Sequence, residues 1–300
     1  MSGLRWPAER AGAPLSAACF AHAGSNLCLD FHGDPGRAGA TVLSDGNHHM
    51  ALEQALASFV VLHPEVGEVF YTTTPPRVMT DIARAGAIRI GNLQLTIQPD
   101  IFIGPPRVLQ GLVEVQLMQA HAPFMRSTGM VFLVRQGNPK NIRQIGDLLH
   151  DGVRLFLSNP DTESVSHHAY KNCLIALADR AHITLPFLTH PPGQPDPQKL
   201  IYGECIHHRE APQAVADGNA DVALVYYHLA LRYQRIFPER FELVWPCGAE
   251  ENGACESSHY HCGMSVQKGP WGEALYHHLM SAEVADIYRH HGLESLRGSR

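Results

Sequence analysis

Two periods of apolar residues alternate between residues 41 and 293, and this alternation predicts an α/β fold. Short apolar runs bounded by turn residues predict buried strands at residues 41–44, 68–71, 100–103, 129–135, 153–157, 222–226 and 241–245. Apolar residues spaced three or four apart predict helices at residues 50–60, 77–84, 142–149, 167–178, 210–217, 271–279 and 282–290. Such alternation implies largely parallel sheets that are covered by helices.

The N-terminal segment differs from the rest of the chain. Residues 1–40 are rich in Gly and Ala and show no periodicity, so we expect an irregular leader. Residues 1–23 end in the small-x-small form of a cleavage site, but Glu9 and Pro14 make a poor signal peptide. This weak signal favours a cytoplasmic location. The remaining length of the 300-residue chain is enough for two domains of roughly 100–200 residues each.

Composition narrows the function classes. Apolar residues make up 45% of the chain and charged residues 17%, which is typical of a globular protein. A net charge of −6 without a Lys/Arg run argues against a nucleic-acid partner. The 20 histidines are abnormal. They include five His-His pairs, which reflect either compositional drift or a shared site, and these pairs are at residues 48–49, 167–168, 207–208, 277–278 and 290–291.

Three polar loops share one chemistry. Residues 45–49, 72–76 and 158–166 each follow a predicted strand, precede a predicted helix and carry hydroxyl or amide side chains. Such loops present backbone N–H groups at the positive end of a helix, which suits an anion. Ordinary helix capping explains the same residues equally well, and the sequence leaves both interpretations open.

Five stretches follow one another in a specific order: PDIFI at 99–103, VFLV at 131–134 with GNPK at 137–140, VRLFLSNPDT at 153–162, GNADVALVY at 218–226, and LMSAE at 279–283 with HGL at 291–293. In this order they resemble segments of the molybdate-binding (ModA-like) solute-binding family of ABC importers. Each piece alone is a weak signal, but the order of the set is specific. The resemblance extends from about residue 41 to the C-terminus.

The resemblance implies a two-lobed type 2 periplasmic-binding-protein fold. Two mixed sheets flanked by helices form the lobes, and two hinge crossovers join them. Lobe one is expected at residues 41–124 plus 246–300, and lobe two at residues 128–243. The ligand is then expected in the cleft between the lobes, which closes by hinge motion.

The resemblance also implies ligand-binding positions. Molybdate binders hold the oxyanion with hydroxyls, backbone N–H groups and a tyrosine. The corresponding candidates here, together with the histidine that follows the first of them, are Asn47, His48, Thr73, Thr74, Ser164, Val165 and Tyr226.

Departures from the family pattern suggest a different ligand. Several histidines fall at segments that line such a cleft, and imidazoles suit Zn, Ni or Cu ions. The candidate metal ligands are His49, His168, His207 and His228. The sequence therefore favours a solute-binding protein for a transition metal ion or metal complex. The alternatives are an oxyanion or small organic acid binder, and an enzyme of the same fold similar to thiamin-precursor synthases.

The expected partners follow from this function. We expect a small ligand, an ABC transporter permease and no nucleic acid, and we expect the chain to be a monomer. We expect no enzymatic activity, because no nucleophile elbow or phosphate-cradling glycine loop occurs.

The seven cysteines raise a separate question. Cys173 and Cys205 lie in apolar contexts that predict buried free thiols. A second cluster matches no short zinc-finger spacing, so the sequence leaves structural zinc and a disulfide both open; it comprises Cys247, Cys255, His259, His261 and Cys262.

Overall fold

The computed structural model describes residues 30–90, 93–188, 198–204, 207–246 and 258–296. Within these residues the strands are β1 Phe31–His32, β2 Ala40–Asp45, β3 Val69–Thr74, β4 Ala87–Ile90, β5 Leu93–Thr96, β6 Ile101–Gly104, β7 Met118–Ser127, β8 Met130–Arg135, β9 Leu155–Leu157, β10 Leu200–Tyr202, β11 Val222–Tyr226, β12 Phe241–Val244, β13 His259–Ser265 and β14 Leu293–Ser295. The helices are α1 His49–Leu62, α2 Pro76–Ala85, α3 Pro106–Glu114, α4 Ser164–Arg180, α5 His207–Ala216, α6 Tyr227–Ile236, α7 Gly272–Leu279 and α8 Ala282–His290.

The chain divides into two compact units. One lies within Ala8–Arg126 and Ser258–Arg300, and we call it the N/C unit. The other lies within Ser127–Ser257, and we call it the middle unit. The chain therefore leaves the N/C unit once and returns to it.

The N/C unit is built on a seven-stranded mixed sheet with the order β1-β3-β2-β6-β13-β7-β14. Strand β2 pairs in parallel with both β3 and β6, so Val42 lies beside Tyr71 on one side and Ile101 on the other. Strand β13 pairs antiparallel with β6 and β7. Because β2, β3 and β6 are parallel, their carboxyl ends meet at one edge of this sheet.

Apolar residues cover both faces of the N/C sheet. Val42 belongs to a cluster with Phe59 of α1 and Tyr288 of α8. Its neighbour Leu43 belongs to a second cluster, together with Phe70 of β3 and residues of α2 and α3. Successive residues of a strand point to opposite faces, so the continuous apolar run in β2 reflects a strand that is buried on both sides.

The middle unit is built on a five-stranded mixed sheet with the order β10-β9-β11-β8-β12. Strand β9 pairs in parallel with β10 and β11. Strand β8 pairs antiparallel with β11 and β12. The carboxyl ends of β9, β10 and β11 therefore share one edge, as in the N/C sheet.

The sequence-based prediction of two mixed sheets flanked by helices is confirmed. Several boundaries differ, however. Thr72–Thr74 were expected in a loop but complete β3, which fits the preference of β-branched residues for strands. The hairpin β4–β5, strands β7, β10, β13 and β14, and helices α3 and α6 were not predicted, and β1 lies inside the expected leader. The helix predicted at 142–149 is a short 3₁₀ segment, Ile145–Leu149. Among the described helices, none combines the length and apolarity that a membrane-spanning segment needs.

Candidate functional site

Three helix N-termini lie at the carboxyl edge of the N/C sheet. Helix α1 follows β2 after a short 3₁₀ turn, α2 follows β3, and α3 follows β6. The residues at their N-caps are His48, Pro75 and Pro105, and no side-chain capping hydrogen bond is made by any of these three described residues. The first turn of a helix has N–H groups without intrahelical partners and carries partial positive charge. This edge therefore favours an anion.

The hydroxyls of β3 are available to different degrees. The Oγ1 atom of Thr72 accepts a hydrogen bond of 3.4 Å from the backbone N–H of Ser44. The Oγ1 atom of Thr73 lies 3.0 Å from Nε2 of His32. The Oγ1 atom of Thr74 is buried and has no hydrogen-bond partner among the described residues. Of the two predicted threonines, Thr74 is thus the better donor to a ligand.

The loop after β2 is held by its own carboxylate. The backbone N–H of Asn47 donates to Oδ1 of Asp45 over 2.9 Å. Burial raises the pKa of Asp45 to about 6. A Cβ at Gly46 would lie 2.5 Å from the carbonyl oxygen of Thr73, so only glycine lets this loop approach β3 so closely. The predicted ligand residue Asn47 is half-buried in this turn.

His48 points into the N/C core. It has no exposed surface. Its Nε2 atom lies 3.2 Å from Oγ of Ser44, and its Nδ1 atom lies 2.8 Å from the hydroxyl of Tyr288. Its ring also packs against Tyr260, with centroids 4.8 Å apart. Both nitrogens are engaged inside the unit, so this geometry gives His48 a structural role.

The carboxyl edge of the middle sheet carries a second buried hydroxyl. Ser158 directly follows β9 and is fully buried, and its Oγ atom has no hydrogen-bond partner in the described part of the chain. Its carbonyl oxygen lies 2.8 Å from Nδ1 of His167. Ser158 belongs to the polar loop predicted at residues 158–166, but it was not among the predicted ligand-binding residues. Its position directly after a buried strand was the signal that could have identified it.

Helix α4 begins beside this hydroxyl. Its N-cap residue is Glu163, and that side chain makes no capping hydrogen bond to the described residues. Ser164 and Val165, the predicted backbone donors, are the first two residues of the helix, and the Val165 side chain is 84% exposed. Helix α6 also starts at this edge, and its N-cap residue Tyr226 likewise makes no capping bond with its side chain to a described residue.

A cluster of buried rings lies behind this edge. The ring centroid of Tyr170 is 4.4 Å from that of His207 and 5.4 Å from that of Tyr226. Tyr226 in turn stacks on His228 at 5.7 Å. All four side chains are less than a tenth exposed. The predicted residues Tyr226, His207 and His228 therefore come together, within a largely aromatic environment.

Two titratable groups of this cluster are strongly perturbed. Burial lowers the pKa of His207 to about 3, and the Phe156 carbonyl offsets this only in part. Neither ring nitrogen of His207 makes a hydrogen bond of good geometry within the described residues. Burial raises the pKa of Glu163 to about 7, although its Oε2 atom accepts a 2.8 Å hydrogen bond from the backbone N–H of His207.

The predicted metal ligands do not form one cluster within a unit. His49 lies in the N/C unit, with Nδ1 3.0 Å from the Gly46 carbonyl. His168 lies in the middle unit and is exposed, with Nδ1 2.6 Å from the Ser164 carbonyl. Across the described residues, no group of three or more His, Cys, Asp or Glu side chains is placed to hold a metal ion.

The cysteines differ from their predicted states. Cys173 was expected to be a free thiol, but it is disulfide-bonded; Cys205 lies outside the described residues. In the second cluster, Cys247 and Cys255 also lie outside them. Cys262 is free and buried, and in β13 it alternates with the outward-facing His259 and His261. Cys262 therefore cannot share a zinc ion with those two histidines.

The comparisons with known proteins agree with the resemblance seen in the sequence. The family model described as bacterial extracellular solute-binding protein matches residues 40–294. Because this family is extracellular, our expectation of a cytoplasmic location is wrong. The disulfide at Cys173 fits this correction, because disulfides persist in oxidising compartments.

Solved structures share the fold at low identity. The sulfate-binding protein SubI from Mycobacterium tuberculosis H37Rv is similar with a TM-score of 0.59 and 17% identity, covering 86% of this chain and 87% of that one. The periplasmic molybdate-binding protein of Azotobacter vinelandii has a TM-score of 0.54 and 15% identity, over 85% and 98% of the two chains. The tungstate-binding protein TupA from Desulfovibrio alaskensis G20 has a TM-score of 0.52 and 10% identity, over 82% and 92%.

A short stretch also matches one curated protein. It is 45% identical over 49 residues to the thiosulfate-binding protein of Pseudomonas aeruginosa strain PAO1. The match spans 16% of this chain and only 14% of the length of that relative.

Proposed function

This chain belongs to the family of bacterial extracellular solute-binding proteins, and from that premise we propose that it binds a small tetrahedral oxyanion. The class includes sulfate, thiosulfate, molybdate and tungstate. The proposed ligand-binding groups of the N/C unit are the hydroxyl of Thr74 and the first-turn N–H groups of α1. Those of the middle unit are the hydroxyl of Ser158 and the first-turn N–H groups of α4. An ABC transporter permease is the proposed partner.

This proposal rests on two buried hydroxyls that have no hydrogen-bond partner among the described residues. Thr74 ends β3 and Ser158 follows β9, so each lies at the carboxyl edge of its own sheet. Neither Oγ atom is hydrogen-bonded to a described residue. A buried hydroxyl without a partner costs free energy, and an oxyanion bound at either edge would accept a hydrogen bond from the hydroxyl of that edge.

The surroundings favour an anion over a cation. Five helices begin at the two edges without a side-chain cap among the described residues; they are α1, α2, α3, α4 and α6. The positive ends of helices stabilise negative charge and oppose a metal ion. The similar proteins bind sulfate, molybdate, tungstate or thiosulfate, which supports the same ligand class.

Binding a solute accounts for these features without a chemical step. The hydroxyls and helix N-termini offer hydrogen bonds to a charged ligand. The family is one of solute binders, which favours binding over the alternative of a thiamin-precursor synthase. The histidine-based metal site, our first interpretation of the sequence, becomes the competing outcome of the experiment.

A thermal-shift screen followed by calorimetry tests the proposal. The sodium salts of sulfate, thiosulfate, molybdate, tungstate and phosphate would be compared with sodium chloride at equal ionic strength. Zinc, nickel and copper chlorides and small carboxylates form the second arm. A ligand at about 100 times its Kd stabilises the folded state by about 2.7 kcal/mol. We expect at least one oxyanion to raise the Tm. A shift with metals or carboxylates alone, or with no solute, would overturn the proposal.

A further inference from the structure

Two histidines from neighbouring strands of the N/C sheet meet beside α3. His121 lies in β7 and His261 in β13, 140 residues apart in the chain. Their Nδ1 atoms are 2.7 Å apart, and the ring centroids are 4.9 Å apart. Strands β7 and β13 pair antiparallel, with an irregularity of register between Tyr260 and His261. Bulges of this kind re-aim side chains, and here the two imidazoles converge.

The hydrogen-bonding partner of His121 prepares it as a ligand. Its Nε2 atom lies 3.3 Å from Oε1 of Gln110 in α3, and an amide oxygen accepts only an N–H. The Nε2 atom of His121 therefore carries the proton, and Nδ1 presents a lone pair towards His261. Metal-binding histidines commonly hold their other ring N–H on such an oxygen, which fixes the tautomer and orients the ring.

The spacing selects a coordination geometry. Two nitrogens about 2.0 Å from one metal lie about 2.8 Å apart when they occupy cis positions of a tetragonal ion, and about 3.3 Å apart in a tetrahedron. The observed 2.7 Å is close to the cis value. Cu²⁺ and Ni²⁺ adopt tetragonal sites with imidazole nitrogens, and Cu²⁺ binds such sites more tightly than Ni²⁺ or Zn²⁺.

We propose that His121 and His261 form a copper-binding site on the N/C unit, with ligands that are not among the proposed oxyanion-binding groups. Each imidazole supplies Nδ1 in a cis position, His261 moves its proton to Nε2 on binding, and water completes the coordination.

The site differs from the metal site expected from the sequence. That site used His49, His168, His207 and His228, and none of those residues contributes here. It has two protein ligands, whereas no group of three or more His, Cys, Asp or Glu side chains among the described residues is placed to hold a metal ion. The site is therefore an open one, with most positions left to solvent.

Copper titration of the full chain tests the site. Calorimetry with CuCl₂ in a weakly coordinating buffer would be run on the wild-type chain, His121→Gln and His261→Gln. The matched control is His290→Gln, which alters an exposed histidine of the same unit. We expect both site variants to weaken binding at least tenfold, and the control to bind as the wild type does.

Electron paramagnetic resonance provides the second readout. Bound Cu²⁺ should show an axial, tetragonal spectrum with coupling to two nitrogens, and His261→Gln should remove one of them. Absence of a saturable site in the wild type, or unchanged affinity in both site variants, would overturn the proposal. If circular dichroism shows that either variant is unfolded, the wild-type spectrum decides the test. Coupling of its copper to fewer than two nitrogens would then contradict the proposed site. Oxyanion binding by His261→Gln should be unchanged, so the two proposals fail separately.

Discussion

The Nδ1 atom of His48 lies 2.8 Å from the hydroxyl of Tyr288, a contact that joins the start of α1 to α8 across 240 residues of sequence. Both side chains are fully buried. Since Nε2 of His48 also contacts Oγ of Ser44, the histidine links a strand end, a helix start and a C-terminal helix. This contact orients the loop that carries Asn47 and therefore couples the stability of the N/C unit to its candidate site.

Removing the hydroxyl of Tyr288 should destabilise the N/C unit. Tyr288→Phe keeps the ring but leaves a buried nitrogen of His48 without its partner, which costs about 1–3 kcal/mol. Urea unfolding measures this loss. The control is Tyr202→Phe, which removes the hydroxyl of a half-buried tyrosine at the end of β10. A loss for Tyr288→Phe no larger than for the control would contradict the structural role of His48.

The two buried hydroxyls should affect binding without supporting the fold. Thr74→Val and Ser158→Ala each remove a donor that has no partner within the described residues. We expect each to weaken oxyanion binding about tenfold, or about 1.4 kcal/mol. The unfolding free energy of the ligand-free protein should stay constant or rise, because a polar group without a partner is removed.

Calorimetry and urea unfolding on the same samples separate these two effects. Thr96→Val, at an exposed position of β5, is the control for the loss of a threonine hydroxyl. If both site variants bind the oxyanion as the wild type does, Thr74 and Ser158 are not ligand-binding residues.

Glu163 should make the middle unit less stable at alkaline pH. Its pKa is about 7 when folded against a usual value of 4.5, so the folded state binds more protons between these values. Its stabilising contribution is therefore present at low pH and is lost as the pH rises through about 7. Relative to wild type, Glu163→Gln should gain about 1 kcal/mol between pH 5 and pH 8, a figure reduced for solvent screening at this half-buried side chain.

Urea unfolding at the two pH values checks this change. Glutamine keeps an oxygen that can accept the hydrogen bond from the His207 backbone. Glu114→Gln, at the exposed end of α3, serves as the control. A Glu163→Gln difference that does not grow between pH 5 and pH 8 would show that burial does not hold the proton.

His207 should make the protein acid-labile. Its pKa is about 3 when folded and 6.5 in the unfolded chain, so its contribution is present above about pH 6.5 and is lost as the pH falls towards 3. His207→Phe keeps the contacts with Phe156 and Tyr170 but cannot titrate. We expect its advantage over wild type to grow by about 1 kcal/mol per pH unit below pH 6.5.

The pH dependence of unfolding measures that advantage, with His277→Gln as a control at an exposed histidine of α7. The same variant tests the sequence-based metal hypothesis. If His207→Phe abolished zinc, nickel or copper binding in a chain whose His121 and His261 are intact, the metal interpretation of the middle unit would regain support. A constant stability difference across the pH range would contradict the role of burial.

Much of the fold was readable from local pattern. Ser281 caps α8, since its Oγ accepts a 3.2 Å hydrogen bond from the backbone N–H of Val284. Gly86 ends α2 in the left-handed conformation that glycine adopts most easily. Strand β7 was missed because its exposed positions and Pro123 break the apolar run. The order of the five sequence stretches indicated the family, because each stretch reflects a local strand-to-helix junction.

The roles of the histidines needed the tertiary structure. From their positions in the sequence, His48, His207 and His228 were all predicted to lie at the ligand-binding cleft. The structure buries all three, with His48 hydrogen-bonded in the core and His207 lying among aromatic rings, and the spacing gave no sign of this burial. His121 gave no local signal, since its partner His261 is 140 residues away.

The sequence by itself determined the α/β class, the positions of most strand-to-helix junctions and the solute-binding family, because these depend on periods and turns within a few residues. Only the tertiary structure decided which hydroxyls are buried without partners and which imidazoles face one another. Those properties depend on strand pairing and burial between segments that are distant in sequence, and no local pattern of side chains encodes them.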